Sequence, residues 1–379
     1  MTNPLRELET AGQAVWLDYL HRQIIDDGEL ARLIEQDGVK GLTSNPSIFE
    51  KAIGDGDAYD ARVRAELSRG DRSPKALYER IAIADIQAAA DVFRPTFDRL
   101  GGKDGFVSLE VSPTLANDTA GTIAEARRLW GAVGRPNLMI KVPGTEAGVP
   151  AIRQLVGEGI NVNVTLLFGV DAYLAVADAH MAVLEAFQAS GGDIRLVHGV
   201  ASFFVSRIDT KIDGAIDARL KDNPPTDAAV RLRRLRGKIA IANAKRAYQR
   251  FLELIDGPRW KPLAAAGASP QRLLWASTGV KDPAYPDTLY SASLIGRDTV
   301  DTLPPKTMDA FRDHGAVTPS LSANVAEAEH DLAEAQGLGL DLDGVTKALV
   351  VEGVELFAKA FADLLAAVES KSRQMAGAA

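Results

Sequence analysis

The chain has 379 residues, of which 46% are apolar and 25% charged, with a net charge of -8 and no cysteine. That length allows one large domain or two ordinary ones around a sizeable core. The acidic balance, without a sustained basic face, argues against a nucleic-acid partner, and the missing cysteines exclude disulfides, thiolate nucleophiles and Cys-ligated metals.

The N-terminal stretch, residues 1–7, has neither a basic region nor an apolar core, so no signal peptide is expected. Asn3-Pro4 then reads as the cap and first turn of a short helix that stops at Gly12. Short apolar runs follow at 14–17, 38–43, 106–111, 138–142, 162–167, 197–203, 273–277 and 299–302, eight candidate strands in all. Helical stretches alternate with them at 29–36, 74–99, 120–130, 148–157, 171–189 and 204–220. Two further helical segments, 322–336 and 343–374, end the chain, and residues 371–379 have the small, polar composition of a fraying tail.

Eight strands, each followed by helix, predict a single (β/α)8 TIM-type barrel domain spanning residues 1–379. The plain form needs only about 250 residues. The excess fits extra helices before the third strand, around 231–254, and at the C-terminus. Pro224-Pro225 and residues 267–270 read as loops within that domain, not as linkers. The basic stretch 231–236 reads as an amphipathic helix with a solvated face. No apolar run reaches the roughly 18 residues of a membrane span. The absence of cysteines fits a cytoplasmic protein, which is the expectation.

In such a barrel the chemistry gathers at the carboxyl ends of the strands. The residues there are Asp18, Thr43-Ser44-Asn45, Ser108 with Glu110, Lys141, Asn163 with Thr165, Ser202 to Arg207, and Ser277-Thr278. Singly, each has a local explanation: Asp18 as a helix cap, Asn45 as an Asx turn before Pro46, Asn163 or Thr165 as partners for nearby backbone. Polar residues at the same end of seven apolar strands are harder to dismiss. Lys141 is the most telling, because it closes the apolar run Asn137-Leu-Met-Ile-Lys141 before Pro143-Gly144. Burying an ammonium disfavours its charged form, and chains that accept that cost often use the amine as a nucleophile toward a carbonyl.

The set makes chemical sense around such an amine. An imine formed with a ketose stabilises a carbanion beside it. A carboxylate, Asp18 or Glu110, takes the proton of the hydroxyl whose C–C bond breaks, and the other serves the water steps. Asn and Ser side chains suit sugar hydroxyls, and Arg207, at the start of a helix, suits a phosphate. The five histidines, His21, His180, His198, His314 and His330, show no metal-ligand spacing, and His198 reads as a core residue.

Five segments together resemble the transaldolase family: Lys40-Gly-Leu-Thr-Ser-Asn-Pro-Ser-Ile-Phe49, Leu138-Met-Ile-Lys-Val-Pro-Gly-Thr145, Asn161-Val-Asn-Val-Thr-Leu-Leu-Phe168, Ala201-Ser-Phe-Phe-Val-Ser-Arg207 and Lys281-Asp-Pro-Ala-Tyr285. The resemblance runs from about Trp16 to the C-terminal helix. It implies a cofactor-free and metal-free (β/α)8 enzyme of the pentose phosphate pathway, monomer or homodimer. Such an enzyme moves a dihydroxyacetone unit between sedoheptulose 7-phosphate or fructose 6-phosphate and glyceraldehyde 3-phosphate or erythrose 4-phosphate. On that resemblance Lys141 forms the Schiff base and Asp18 is the general acid/base for C–C cleavage. Glu110 and Thr165 hold the catalytic water. Thr43, Asn45, Asn163 and Ser202 line the dihydroxyacetone pocket, Phe204 forms its wall, and Arg207 binds phosphate. The family often carries a second phosphate-binding arginine two residues after the serine that Ser277 matches. Here Thr278-Gly279 follow; Lys281 is the candidate substitute as a point charge, and the alternative reading of residues 281–286 is a rigid turn. Two other readings of the same residues are a fructose 6-phosphate aldolase that releases its three-carbon unit, and a noncatalytic sugar-phosphate-binding barrel.

Overall fold

The computed structural model describes residues 3–54 and 56–377; Met1, Thr2, Asp55 and the tail residues Ala378 and Ala379 lie outside the described residues. Eight parallel strands close into a barrel in sequence order: β1 (Gln13–Leu17), β2 (Gly41–Leu42), β3 (Phe106–Glu110), β4 (Leu138–Pro143), β5 (Val162–Leu167), β6 (Gly199–Phe204), β7 (Arg272–Ala276) and β8 (Thr299–Leu303), with β8 pairing back onto β1. The (β/α)8 expectation holds. Nearly every strand residue is buried, as expected where helices cover the outside and side chains fill the inside.

Local chemistry sets most boundaries. Asn3 caps the Pro4–Thr10 helix by accepting from the Leu5 amide, as its Asn-Pro sequence predicts. The Pro74–Arg99 and Gly148–Gly157 helices match their predicted spans. Three expectations need correction. The second strand is two residues long, not six, because Gly38 at φ +71° closes the preceding helix and the Val39 amide turns back to the Leu33 carbonyl. The sixth strand starts at Gly199, since residues Ile194–Leu196 form a 3-10 turn, and it ends at Phe204; the next helix begins at Ser206. The last helix, Leu342–Gly377, continues through most of the stretch read as fraying, and Lys371 is tied down by an ion pair to Asp60 at 2.7 Å and a hydrogen bond to the Gly56 carbonyl at 2.6 Å. The basic stretch is helical as expected. Leu232 and Leu235 are buried, while Arg231 donates to Glu334 at 2.8 Å on the Val325–Gly337 helix.

Trp16 closes the barrel floor. Its indole donates to Asp104 at 2.8 Å, Asp104 pairs with Arg272 at 2.9 Å, and the ring lies flat across Gly41. A Cβ on Gly41 would sit 2.4 Å from that ring. Gly41→Ala should therefore force Trp16 out of its place and lower stability by about 1–3 kcal/mol, read as a reduced urea midpoint.

Candidate active site

Parallel pairing brings the predicted strand ends level with one another. Glu110 stands opposite Lys141, and Lys141 opposite Asn163. Thr165 lies two residues further along β5 and so shares the face of Asn163. Lys141 is only 5% exposed. Its Nζ donates to the Ser44 carbonyl at 3.3 Å and sits 3.7 Å from Glu110 Oε2, an ion-pair distance too long for a hydrogen bond. Neither Glu110 oxygen, nor Thr165 Oγ1, has a hydrogen-bond partner among the described residues, although all three are buried. Buried groups left free in this way commonly await a ligand or water.

The electrostatics follow from that burial. Loss of solvent raises the Glu110 carboxyl to about 7, against the opposing pull of Lys141 and with a smaller push from Asp18. Asp18 keeps some accessible surface at the barrel mouth, yet burial also raises its carboxyl. Lys141, the Thr43 hydroxyl and Lys281 pull it back. Thr43 donates to Asp18 at 2.7 Å and lies 2.9 Å from the Thr302 hydroxyl, so Thr302 joins the site. A polar chain crosses the barrel beneath. Ser202 donates to Asn163 Oδ1 at 2.7 Å, Asn163 Nδ2 donates to Ser108 Oγ at 3.1 Å, and Ser44 donates to the Ser108 carbonyl at 2.8 Å.

The remaining predicted residues are placed differently. Asn45 Oδ1 accepts from the Ile48 amide at 3.0 Å and starts the Pro46–Gly54 helix, which commits that oxygen to a structural role. Phe204 ends β6, and its ring lies 5.2 Å from that of Phe168 and 5.4 Å from the Arg207 guanidinium. Arg207 is the second residue of the Ser206–Lys221 helix, and its Nη1 is buried without a partner among the described residues. Burial works against its charge, while Glu352 offsets part of that cost. Ser277 adopts φ +56° just beyond β7, and its hydroxyl lies 3.0 Å from that of Ser206, joining the seventh strand end to the Arg207 helix. Lys281 is exposed. His198 packs 5.3 Å from the Phe106 ring in the barrel floor, where burial lowers its imidazole to about 4.

The loop bearing Lys281 is clamped on both sides. Tyr285 donates to Asp213 at 2.7 Å, and Arg236 donates to Asp282 at 3.2 Å. Asp213 lies on the same helix as Arg207. The loop is thus a rigid turn that also presents a cation near the mouth. Two contributors escape sequence reading. Thr302 looks like an ordinary strand threonine. Phe357 lies in the Leu342–Gly377 helix, far from any strand end, yet its ring centroid is 5.9 Å from Lys141 Nζ.

The family model described as Transaldolase/Fructose-6-phosphate aldolase matches residues 15–368. The chain belongs to this family. Proteins named Transaldolase from Trichodesmium erythraeum, Thermobifida fusca and Thiobacillus denitrificans are 46%, 48% and 49% identical to it, covering 99%, 96% and 97% of this chain and 99%, 97% and 99% of their own. Relatives this similar over nearly the whole length make the chain an enzyme of the transferase class. Among the described residues no group of three or more His, Asp or Glu side chains is placed to hold a metal ion.

The clamp has a measurable weight. Tyr285→Phe leaves Asp213 short of a donor, and stability should fall by about 1–2 kcal/mol in urea denaturation. Amide exchange across residues 279–286 should quicken with it.

Proposed function

We propose that the protein is a transaldolase working as one barrel domain, with Lys141 as its imine-forming amine. It transfers a dihydroxyacetone unit between sedoheptulose 7-phosphate or fructose 6-phosphate and glyceraldehyde 3-phosphate or erythrose 4-phosphate, one of the interconversions of the pentose phosphate pathway. The observation that carries the site assignment is the Lys141 amine, almost sealed from solvent beside a carboxylate whose oxygens are both free.

The amine adds to the ketose carbonyl carbon, and the resulting carbinolamine loses water to give a protonated imine. Glu110 and Thr165 hold that water. Glu110 moves its protons, a task suited to a carboxyl raised to about 7. Asp18 then takes the proton of the hydroxyl beyond the breaking C–C bond. The electron pair of that bond passes into the imine, giving an enamine, and the aldose phosphate leaves. The acceptor aldehyde enters, and the same steps run in reverse. Thr43, Asn163 and Ser202 orient the three-carbon unit, with Asn45 offering its amide nitrogen. Phe204 walls the pocket, and Arg207, Ser277 and Lys281 take the phosphate. No cofactor or metal enters any step. The working form is a monomer or homodimer in the cytoplasm; among the described residues no helix is long and apolar enough to cross a membrane.

Borohydride reduction in the presence of fructose 6-phosphate should leave a dihydroxyacetone-sized adduct on Lys141 by peptide mass. Lys141→Ala should fold normally and lose both the adduct and turnover. Binding of the sugar phosphate without any adduct would point instead to a noncatalytic barrel, and an adduct on another lysine would overturn the site assignment. The pH profile supplies an independent check. The ionised Glu110 is the form that accepts a proton, so activity should climb as pH rises through about 7. Glu110→Gln should remove that limb and lower turnover roughly 10²-fold.

A further inference from the structure

The Leu342–Gly377 helix buries one stripe: Thr346, Leu349, Gly353, Phe357, Phe361, Leu364, Val368 and Lys371. Their spacing of three or four residues marks a single helical face. At 1.5 Å per residue the stripe is about 38 Å long, enough to cross the whole barrel mouth. Three contacts fix where it crosses. Near its start, a Cβ on Gly169, just past β5, would lie 3.3 Å from Thr346 Oγ1. Further on, Phe361 stacks edge-on against Tyr78 at 5.8 Å. Between them, Gly353 meets Leu166 so closely that a Cβ there would stand 2.8 Å from Leu166 Cδ2.

Leu166 is itself unusual. It adopts φ +60° inside β5, at the irregularity where the pairing with β6 shifts between Val164 and Leu167. The bulge immediately follows Thr165. A glycine at 353 lets the helix settle onto this bulge, and one helical turn later Phe357 lies over Lys141 at 5.9 Å, with only 6% of its surface exposed.

We propose that Phe357 is a positioning residue that covers the Lys141 adduct and favours transfer over release of the three-carbon unit. The inference rests on the function proposed above. After the aldose phosphate has left, the enamine on Lys141 has two fates. The acceptor aldehyde can form a new C–C bond with it. Alternatively, the enamine carbon takes a proton, water adds to the imine carbon, the C–N bond breaks, and free dihydroxyacetone departs with the amine restored. Both paths end with the hydrolysis of an imine by the water that Glu110 and Thr165 hold; release alone also needs a proton donor beside the enamine carbon. Phe357 fills space there with an apolar ring that also attracts the cationic nitrogen. Truncating the ring would open a void beside Lys141, whose Nζ lies 3.7 Å from a Glu110 oxygen without a hydrogen-bond partner among the described residues, a setting in which water could sit and donate that proton.

The test compares two rates on the full-length enzyme: transfer from fructose 6-phosphate to erythrose 4-phosphate, and dihydroxyacetone release from fructose 6-phosphate alone. Phe357→Ala should raise the release-to-transfer ratio about tenfold, equivalent to about 1.4 kcal/mol between the two barriers. Phe357→Leu, which keeps an apolar cover, should stay near the wild-type ratio. Gly353→Ala should raise the ratio in the same direction by lifting the helix from Leu166, without altering the ring. If transfer and release fall together with an unchanged ratio in Phe357→Ala and Gly353→Ala, the proposal is overturned. A wild-type protein that neither forms the adduct nor transfers would instead remove the functional reading itself.

Discussion

An amine and a carboxyl group held 3.7 Å apart, each nearly stripped of water, set the terms for the rest of this molecule. Neither group is satisfied by its neighbours in the ordinary way. The amine makes one long hydrogen bond to a backbone carbonyl, and the carboxylate makes none among the described residues. Removing such groups from solvent is costly, and their mutual attraction recovers only part of the cost. The barrel provides the compensation. Hydrogen-bonded parallel strands around a packed interior hold both groups in fixed register, so they cannot relax toward water by moving the backbone. The rigidity that makes the site costly also makes it pre-organised for an incoming carbonyl.

The same burial acts on both carboxyl groups of the site. Both are raised by burial, but they sit in different company. Asp18 accepts from Thr43 at 2.7 Å, which favours its ionised form and fixes its direction. Glu110 has no such donor and rises to about 7, where it can hold or release a proton with little bias. Two acids of ordinary type thus sit in different surroundings, one accepting from a neighbouring hydroxyl and the other with both oxygens free among the described residues.

Much of this was legible in the sequence because strand periodicity and strand ends are local signals. An apolar run closed by Lys141 and Pro143-Gly144 specifies a buried strand and its exit without reference to the rest of the fold, and the paired register then follows from closure of the barrel. The second strand is shorter than its apolar run predicts because glycines at 38 and 41 carry opposite meanings. Gly38 ends a helix at positive φ, while Gly41 makes room for Trp16, and nothing local separates the two. Asn45 carries two readings in the sequence, an Asx turn before Pro46 and a pocket lining, and the structure shows its oxygen accepting from the Ile48 amide, which leaves its nitrogen open to the second. Phe357 was invisible for a different reason. Its helix is amphipathic in the ordinary way, and only the tertiary path over the mouth distinguishes one buried aromatic from Phe361 a turn later.

The phosphate end of the proposed site pairs a guanidinium, Arg207, with an ammonium, Lys281. A guanidinium recognises phosphate through a planar fork, and its orientation is partly built into the group. An ammonium has no such directionality, so its usefulness depends on where the backbone holds it. The loop that carries Lys281 is fixed by Tyr285 on Asp213 and by Arg236 on Asp282, and Asp213 belongs to the helix that begins beside Arg207. Ser206 and Ser277 link the two elements again at 3.0 Å. Geometry that an arginine would carry in its own side chain is supplied here by the loop. On the function proposed above, a point charge on a clamped loop and a fork on a helix start act on one dianion, the helix N-terminus adding its own favourable dipole. The Asp213 helix thus ties the Lys281 loop to the element that carries Arg207.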